Sequence, residues 1–215
     1  MSRVRVHNFS VSLDGYATGE GQSLEQPFGH AGTRLVQWAL PTRTFRAIHG
    51  EEGGSSGVDE AVAGSWQTGI GAEIMGRNKF GPQRGPWADE EWKGWWGANP
   101  VFHTPVFVLT HHPRPTLEME GGTTFHFIDA TPKEALAQAR EAAGGLDVRI
   151  GGGPTTVRQF LADDLVDYLH VAVMPIVLGR GVRLWDGLEG LEERFPEFES
   201  VTSPSGVTHL LFSRP

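Results

Sequence analysis

The chain has 215 residues, with 18 Lys and Arg against 26 Asp and Glu, a formal net charge of -8 and 39% hydrophobic residues. This composition fits one globular domain whose core needs no staples, and the acidic balance argues against nucleic acid as the main partner. The absence of cysteine excludes disulfides, thiolate nucleophiles and thiolate metal sites. The stretch from Met1 to His7 has no apolar signal region and no later stretch is long enough to span a bilayer, so a cytoplasmic protein without membrane contact is expected.

Val4 to Ser12 alternates apolar and polar residues and predicts a first strand, ending in the turn Ser12-Leu13-Asp14-Gly15-Tyr16. Residues 17–32 read as loop, and Thr33 to Ala39 and Thr42 to His49 as short helices separated by Pro41. Residues 50–65 are rich in Gly, Ser and acids and lack a period, which predicts a mobile loop or lid within a flexible insertion near 50–70. Gly71 to Met75 predicts a strand that runs into Gly76-Arg77-Asn78-Lys79-Phe80. Trp87, Trp92, Trp95 and Trp96 crowd together, which suits the packing of a lid or an interface. Pro105 to Thr110 is nearly continuous in apolar residues and is expected in the middle of a sheet, covered on both faces. His111-His112-Pro113-Arg114-Pro115 ends it, and Thr124 to Ile128 predicts another strand.

The clearest helix start is Thr131-Pro132-Lys133-Glu134, where Thr131 and Glu134 form a capping box and Pro132 sits in the first turn. That helix runs to about Ala143 and stops at Gly144-Gly145. A strand at 147–150, the run Gly151-Gly152-Gly153-Pro154-Thr155-Thr156 and a helix to about Ala162 follow. Val166 to Val177 predicts a long strand, Gly179-Arg180-Gly181 a turn and Val207 to Ser213 a last strand. Strands alternating with helices and then antiparallel strands predict an α/β domain with a mixed sheet.

Three loops follow strands and invite one ligand. Gly151 to Gly153 allow close approach to the backbone, and the helix start at Pro154 aims free N–H groups at the same space. That is an anion site or an ordinary glycine-rich turn. The loops Gly76 to Lys79 and Thr110 to Arg114 carry fixed positive charge. In open α/β sheets ligands bind outside the carboxyl ends of strands, and the combination suits a dinucleotide with its pyrophosphate at the glycines. An arginine fork would meet a 2′-phosphate. The loops hold no acid for a ribose 2′-hydroxyl, so NADP(H) is favoured over NAD. His111 and His112 are adjacent and point apart in extended chain, and no HxxxH spacing recurs, so no metal is expected.

The segments Ser12-Leu13-Asp14-Gly15, Ile74-Met75-Gly76-Arg77, Val106 to Thr110, Ile150 to Gly153 and Pro175 to Gly181 occur in this order over about residues 4–212. They resemble the dihydrofolate-reductase-like superfamily, most closely the branch containing the reductase domain of the bacterial riboflavin-biosynthesis deaminase-reductase. The resemblance implies a three-layer α/β fold over residues 1–215, with a mixed, mostly parallel sheet flanked by helices and an antiparallel C-terminal strand. It implies hydride transfer from NADPH to a small heterocycle, no metal, and a homodimer. By the family pattern Gly76, Arg77 and Asn78 face the cofactor phosphates and Thr110 and Arg114 border its adenosine end. Gly151, Gly152, Gly153, Thr155 and Thr156 cradle the pyrophosphate. Asp14 is the candidate catalytic residue on the substrate side, to bind substrate, order water or protonate it; its alternative role is that of turn former. Tyr16 stands where the riboflavin-pathway reductases typically carry a basic residue. Trp38-Ala39-Leu40-Pro41 echoes a dihydrofolate reductase segment, but Thr42 and Arg43 follow in place of its acid. The expected function is a reductase resembling 5-amino-6-(5-phosphoribosylamino)uracil reductase, the alternatives being a dihydrofolate reductase and a non-catalytic NADP-binding protein.

Overall fold

The computed structural model describes residues 2–82 and 84–215; Met1, the first residue of the stretch read for a signal, and Gln83 lie outside the described residues. In chain order the elements are β1 (Val4–Ser12), β2 (Tyr16–Thr18), α1 (Arg43–Ile48), α2 (Val58–Ala63), β3 (Ile70–Gly76), α3 (Arg77–Phe80), β4 (Pro105–Leu109) and β5 (Leu117–Glu118). Then come β6 (Thr124–Ile128), α4 (Pro132–Ala142), β7 (Asp147–Gly152), α5 (Pro154–Ala162), β8 (Tyr168–Met174), β9 (Val182–Arg183), β10 (Glu197–Thr202) and β11 (Thr208–Ser213). The main sheet has the order β10-β11-β8-β1-β7-β3-β4-β6-β5. Pairs from β8 across to β6 are parallel, and β5, β11 and β10 join antiparallel. This is the mixed, mostly parallel α/β sheet with antiparallel C-terminal strands that the sequence predicts.

Period-two alternation divides the strands into two faces. Val4, Val6, Ala72, Ile74, Val148, Ile150, Leu169 and Val171 point to one side, where Ala135, Leu136 and Ala139 of α4 and Val157, Phe160 and Leu161 of α5 close an apolar layer. The intervening positions, Arg5, His7, Glu73, Arg149 and His170, face the other side together with His209 of β11. They form a polar seam across five adjacent strands in the order β11-β8-β1-β7-β3. A bulge in β1 between Val6 and Phe9 reverses its parity, so Phe9 and Val11 rejoin the apolar layer while Asn8 takes φ 56. Trp66, Trp87, Trp92 and Trp96 cover the β3–β4–β6 part of the polar side by packing on Met75, Phe80, Phe125 and Phe127.

Several boundaries differ from expectation. Residues 50–65 carry α2 and a bridge from Ser55 to Thr42 rather than chain without structure. The predicted helix at Thr33 to Ala39 is a 3₁₀ helix at Gly29–Leu35, interrupted where Gly32 takes φ 54. The loop at 17–32 begins as β2, which pairs with β9. The strand expected over 166–177 is confined to Tyr168–Met174, and β10 was not anticipated.

The helix start at Thr131 is as read. Its hydroxyl accepts from the Glu134 N–H, while the Glu134 carboxylate accepts from the Thr131 N–H at 2.9 Å. Thr131→Ala is expected to cost about 1 kcal/mol, the usual loss of an N-cap, measured as a shift of the denaturation midpoint without change in slope.

Candidate active site at the carboxyl ends of the strands

A cavity of about 1250 Å³ opens where the parallel strands end. Single-ligand pockets span about 300–1,000 Å³, so this one has room for two molecules side by side. One wall is built from Gly76 to Lys79, Thr110 and the turn from Gly151 to Thr156. Leu35 and Val36, and Phe45, Ile48 and His49 around α1, also line the cavity, as do Trp66, stacked on Arg149, and Trp95 and Trp96, the latter packed on Phe102 and Phe125. Residues His7 to Ser10 of the β1 bulge, on the sheet itself, line its floor.

The glycine turn suits close approach of a ligand. Gly152 takes φ 115, and the Gly152–Gly153 peptide is cis. A Cβ on Gly153 would meet nothing within 4 Å, so this edge is open. A Cβ on Gly76 would come within 2.2 Å of Thr156 Oγ1, so the absence of a side chain lets β3 and α5 meet. Gly153 caps α5 without a side-chain bond, and the first helical bond is donated by Val157. The N–H groups of Thr155 and Thr156 are therefore the free donors of the first turn.

The two arginines of the predicted phosphate site have different surroundings. Arg77 lines the cavity, lies 3.9 Å above the Trp87 ring and donates through Nη1 to the Gly85 carbonyl. Its Nε and Nη2 are buried and have no protein partner among the described residues. Arg114 is not among the cavity-lining residues. Its Nη1 and Nη2 donate to the carbonyls of Glu90 (3.1 Å) and Trp92 (2.5 Å), and its guanidinium covers Phe127 and the Trp87 ring at 4.3 and 4.2 Å. It braces the tryptophan-rich segment. Arg84, which the sequence reading passed over, is exposed at the cavity rim. Thr110 is buried beside the cavity, where its hydroxyl accepts from the His112 N–H. Asn78 lines the same wall.

Asp14 is not among the lining residues either. Its Oδ1 accepts from the Ser12 hydroxyl at 2.6 Å and the Leu178 N–H at 3.1 Å, and its Oδ2 accepts from the Gly179 N–H at 2.7 Å. The Ser12 hydroxyl, aided by those two N–H groups, holds the carboxyl down to a pKa of about 2. An ionised carboxylate so engaged ties the first turn to the 175–181 segment and holds no proton near neutrality.

The polar seam contributes what the sequence reading missed. Glu73, nearly fully buried, accepts from Arg149 through Oε2 and from Lys79 Nζ through Oε1 at 3.0 Å. Arg149 is stacked 4.1 Å over Trp66. Further along, the obligate backbone donor Asn8 N–H points at His170 Nδ1 (3.0 Å), which leaves the proton on Nε2. That Nε2–H donates to His209 Nδ1 (3.0 Å), and His209 Nε2–H to Asp59 Oδ1 of α2 (2.9 Å). His7 is fixed likewise: Nδ1 accepts from Arg5 (3.0 Å), and Nε2–H donates to Ser65 Oγ (3.1 Å), which donates to the Val62 carbonyl. Burial pushes His7 down to about 3, with the Arg5 and Arg149 charges adding to it, and pushes His170 down to about 2, where protonation would also oppose that of His7 and His209. These bonds fasten the 58–66 segment over the cavity floor. Among the described residues no group of three or more His, Cys, Asp or Glu is placed to hold a metal ion.

The family model of the RibD C-terminal domain matches residues 4–208. The chain belongs to the RibD C-terminal domain family. That family is the reductase domain of riboflavin biosynthesis. Among solved structures, a protein assigned to riboflavin biosynthesis from Shewanella sp. PV-4 is similar at 21% identity and TM-score 0.58, with 100% of this chain and 99% of that one covered. The diaminohydroxyphosphoribosylaminopyrimidine deaminase/5-amino-6-(5-phosphoribosylamino)uracil reductase of Thermotoga maritima is similar at 13% identity and TM-score 0.54, over 100% of this chain and 57% of that one. RibD of Acinetobacter baumannii is similar at 17% identity and TM-score 0.51, over 99% of this chain and 58% of that one. No curated protein sequence matches the chain. No helix among the described residues is long and apolar enough to cross a membrane.

Proposed function

We propose that this RibD C-terminal domain reduces a small heterocycle with NADPH, the pyrimidine of 5-amino-6-(5-phosphoribosylamino)uracil reductase being the first substrate to try. The observation that carries the reading is the cavity wall itself: a side-chain-free turn, Gly151 to Gly153, beside the free N–H groups of Thr155 and Thr156 and the guanidinium of Arg77. Helix N-termini and glycine turns favour phosphate, and a pyrophosphate fits at Gly151, Gly152, Gly153, Thr155 and Thr156, with Gly76 and Asn78 alongside. Thr110 borders the adenosine end, and the Arg77 guanidinium, at the cavity lining, takes the 2′-phosphate. Arg114 supports this wall from behind through its carbonyl contacts and its stack on Trp87. NADPH, when bound, supplies the hydride. The protein orients it, and the apolar wall of Leu35, Phe45 and Ile48 excludes water from the rest of the cavity.

Titration of tryptophan fluorescence with NADPH and NADH tests the reading, since Trp95 and Trp96 line the cavity. Tighter NADPH binding is expected, followed by oxidation of NADPH when the pyrimidine is added. Absence of binding by either nucleotide would overturn it. Arg77→Ala is expected to weaken NADPH about 10- to 100-fold, the worth of a charge-assisted contact, and to leave NADH nearly unchanged. Equal losses for both nucleotides would remove Arg77 from the 2′-phosphate.

A further inference from the structure

The group of Glu73, Lys79 and Arg149 carries one negative and two positive groups on the cavity side of the sheet, and nothing in the packing calls for it. Burying ions rarely stabilises a fold relative to apolar side chains of the same size. The chain also gives up a side chain to make room: a Cβ on Gly151 would lie 1.9 Å from Glu73 Oε1 and 2.6 Å from Lys79 Nζ. Lys79 is the member that reaches the ligand space. Its side chain is 28% exposed, against 2% for Glu73 and 5% for Arg149. It follows directly on the Gly76 loop, and its Cδ lies 3.8 Å from where a Cβ of Gly152 would be.

We propose that Lys79 is the proton donor to the substrate; this rests on the reductase reading above. Most other titratable groups along the cavity are unsuited, and His112 lies past the end of β4, where its backbone N–H bonds Thr110. Arginine does not give up its proton. His7 is held neutral with both ring nitrogens engaged. Glu134 spends its carboxylate on the Thr131 cap, and His111 pairs with Asp129 at the solvent rim beyond β4 and β6. His49, at the end of α1, is bonded through Nδ1 to the Phe45 carbonyl at 2.8 Å. Among the described residues, Lys79 is the group with transferable protons that lies against the glycine turn and in contact with Glu73.

The groups facing it are Glu73 on β3, Arg149 on β7 and the Phe102 ring at 5.8 Å. Desolvation pushes its ammonium below the usual lysine range, Glu73 opposes this, and Arg149 adds to it. The reduction places a hydride from the reduced nicotinamide on the electrophilic carbon of a C=N or C=O bond. The π pair moves to the heteroatom, which takes a proton from Lys79 Nζ. The N–H bonding pair stays on the amine, and cavity water returns the proton. Glu73, anchored by Arg149, positions Nζ throughout.

The chain holds three lysines, Lys79, Lys93 and Lys133, and the last two are exposed, so competitive acylation by acetic anhydride with mass-spectrometric readout resolves Lys79 directly. Lys79 is expected to gain reactivity at lower pH than Lys93 and Lys133, and bound NADPH is expected to protect it. With NADPH and 5-amino-6-(5-phosphoribosylamino)uracil, Lys79→Met is expected to lower kcat at least about 100-fold, the scale of general acid catalysis, and to remove the basic limb of the kcat/KM–pH profile. Lys79→Arg keeps the pair with Glu73, and therefore the fold, but should remain as slow. The proposal is overturned if Lys79 acylates in step with the exposed lysines, or if either variant keeps parental kcat. A parent protein that binds neither nucleotide refutes the functional reading instead, because acylation of Lys79 is measured without nucleotide.

Discussion

Lowering the pH from about 7.5 to about 5 is expected to cost the folded state roughly 4 kcal/mol, about 2 for each of His7 and His170. Both rings are neutral in the fold, with pKa values pushed down to about 3 and about 2, against 6.5 in the unfolded chain. As the pH falls below 6.5 the unfolded chain takes up protons that the folded chain refuses, so stability declines from there and continues to fall towards the folded-state values. For a chain of this size the loss corresponds to a drop in Tm of roughly 8–16 °C. His170→Gln retains an acceptor for the Asn8 N–H and a donor for His209, and should remove about half of the pH dependence while lowering the baseline. A melting temperature that is flat between these pH values, or a His170→Gln slope as steep as the parent's, would show that the histidines are not held neutral.

The second large effect concerns Glu73. Glu73→Ala leaves Arg149 buried with no carboxylate partner, and is expected to cost about 3–5 kcal/mol, or roughly 6–20 °C in Tm. Lys79 can relieve itself by losing its proton, but Arg149 cannot. Replacing both buried members, as Glu73→Leu with Arg149→Met, should restore stability to near the parent's or above it, while leaving Lys79 without its anchor. A stable double variant with impaired turnover would place the cost of these ions on the side of chemistry. A single variant as stable as the parent would mean that Glu73 does not neutralise Arg149.

The elements read most securely from sequence had strong local signals. Thr131, Pro132 and Glu134 announce α4 within four residues, and the apolar run Val106 to Leu109 announces a central strand. α2 escaped because Val58 to Ala63 is too short to show a helical period and sits among glycines and serines. β10, Glu197 to Thr202, places its two apolar residues, Phe198 and Val201, three apart, which breaks the period of two, and every residue in it is exposed. Arg114 shows why spacing alone misplaces a cation: the carbonyls that occupy its guanidinium belong to Glu90 and Trp92, more than twenty residues earlier. Glu73 and Arg149 were visible as charges inside strands. Their meeting depends on β3 and β7 being neighbours in register, a fact of topology that no local pattern carries.

The polar seam also bears on how the chain finds this sheet. Shifting any strand by one residue exchanges its two faces. In β3, β7 or β8 such a slip would carry Glu73, Arg149 or His170 into the layer filled by Ala139, Val157 and Phe160, and would turn Ile74, Ile150 or Val171 outward. An all-apolar set of central strands would pair almost as well one step out of alignment. Here each misaligned pairing strands an unpartnered polar group among hydrocarbons, at a cost of several kcal/mol for an ion. The polar groups of the seam therefore also act as a proofreading mark for strand alignment, so removing them is expected to widen the range of folded arrangements.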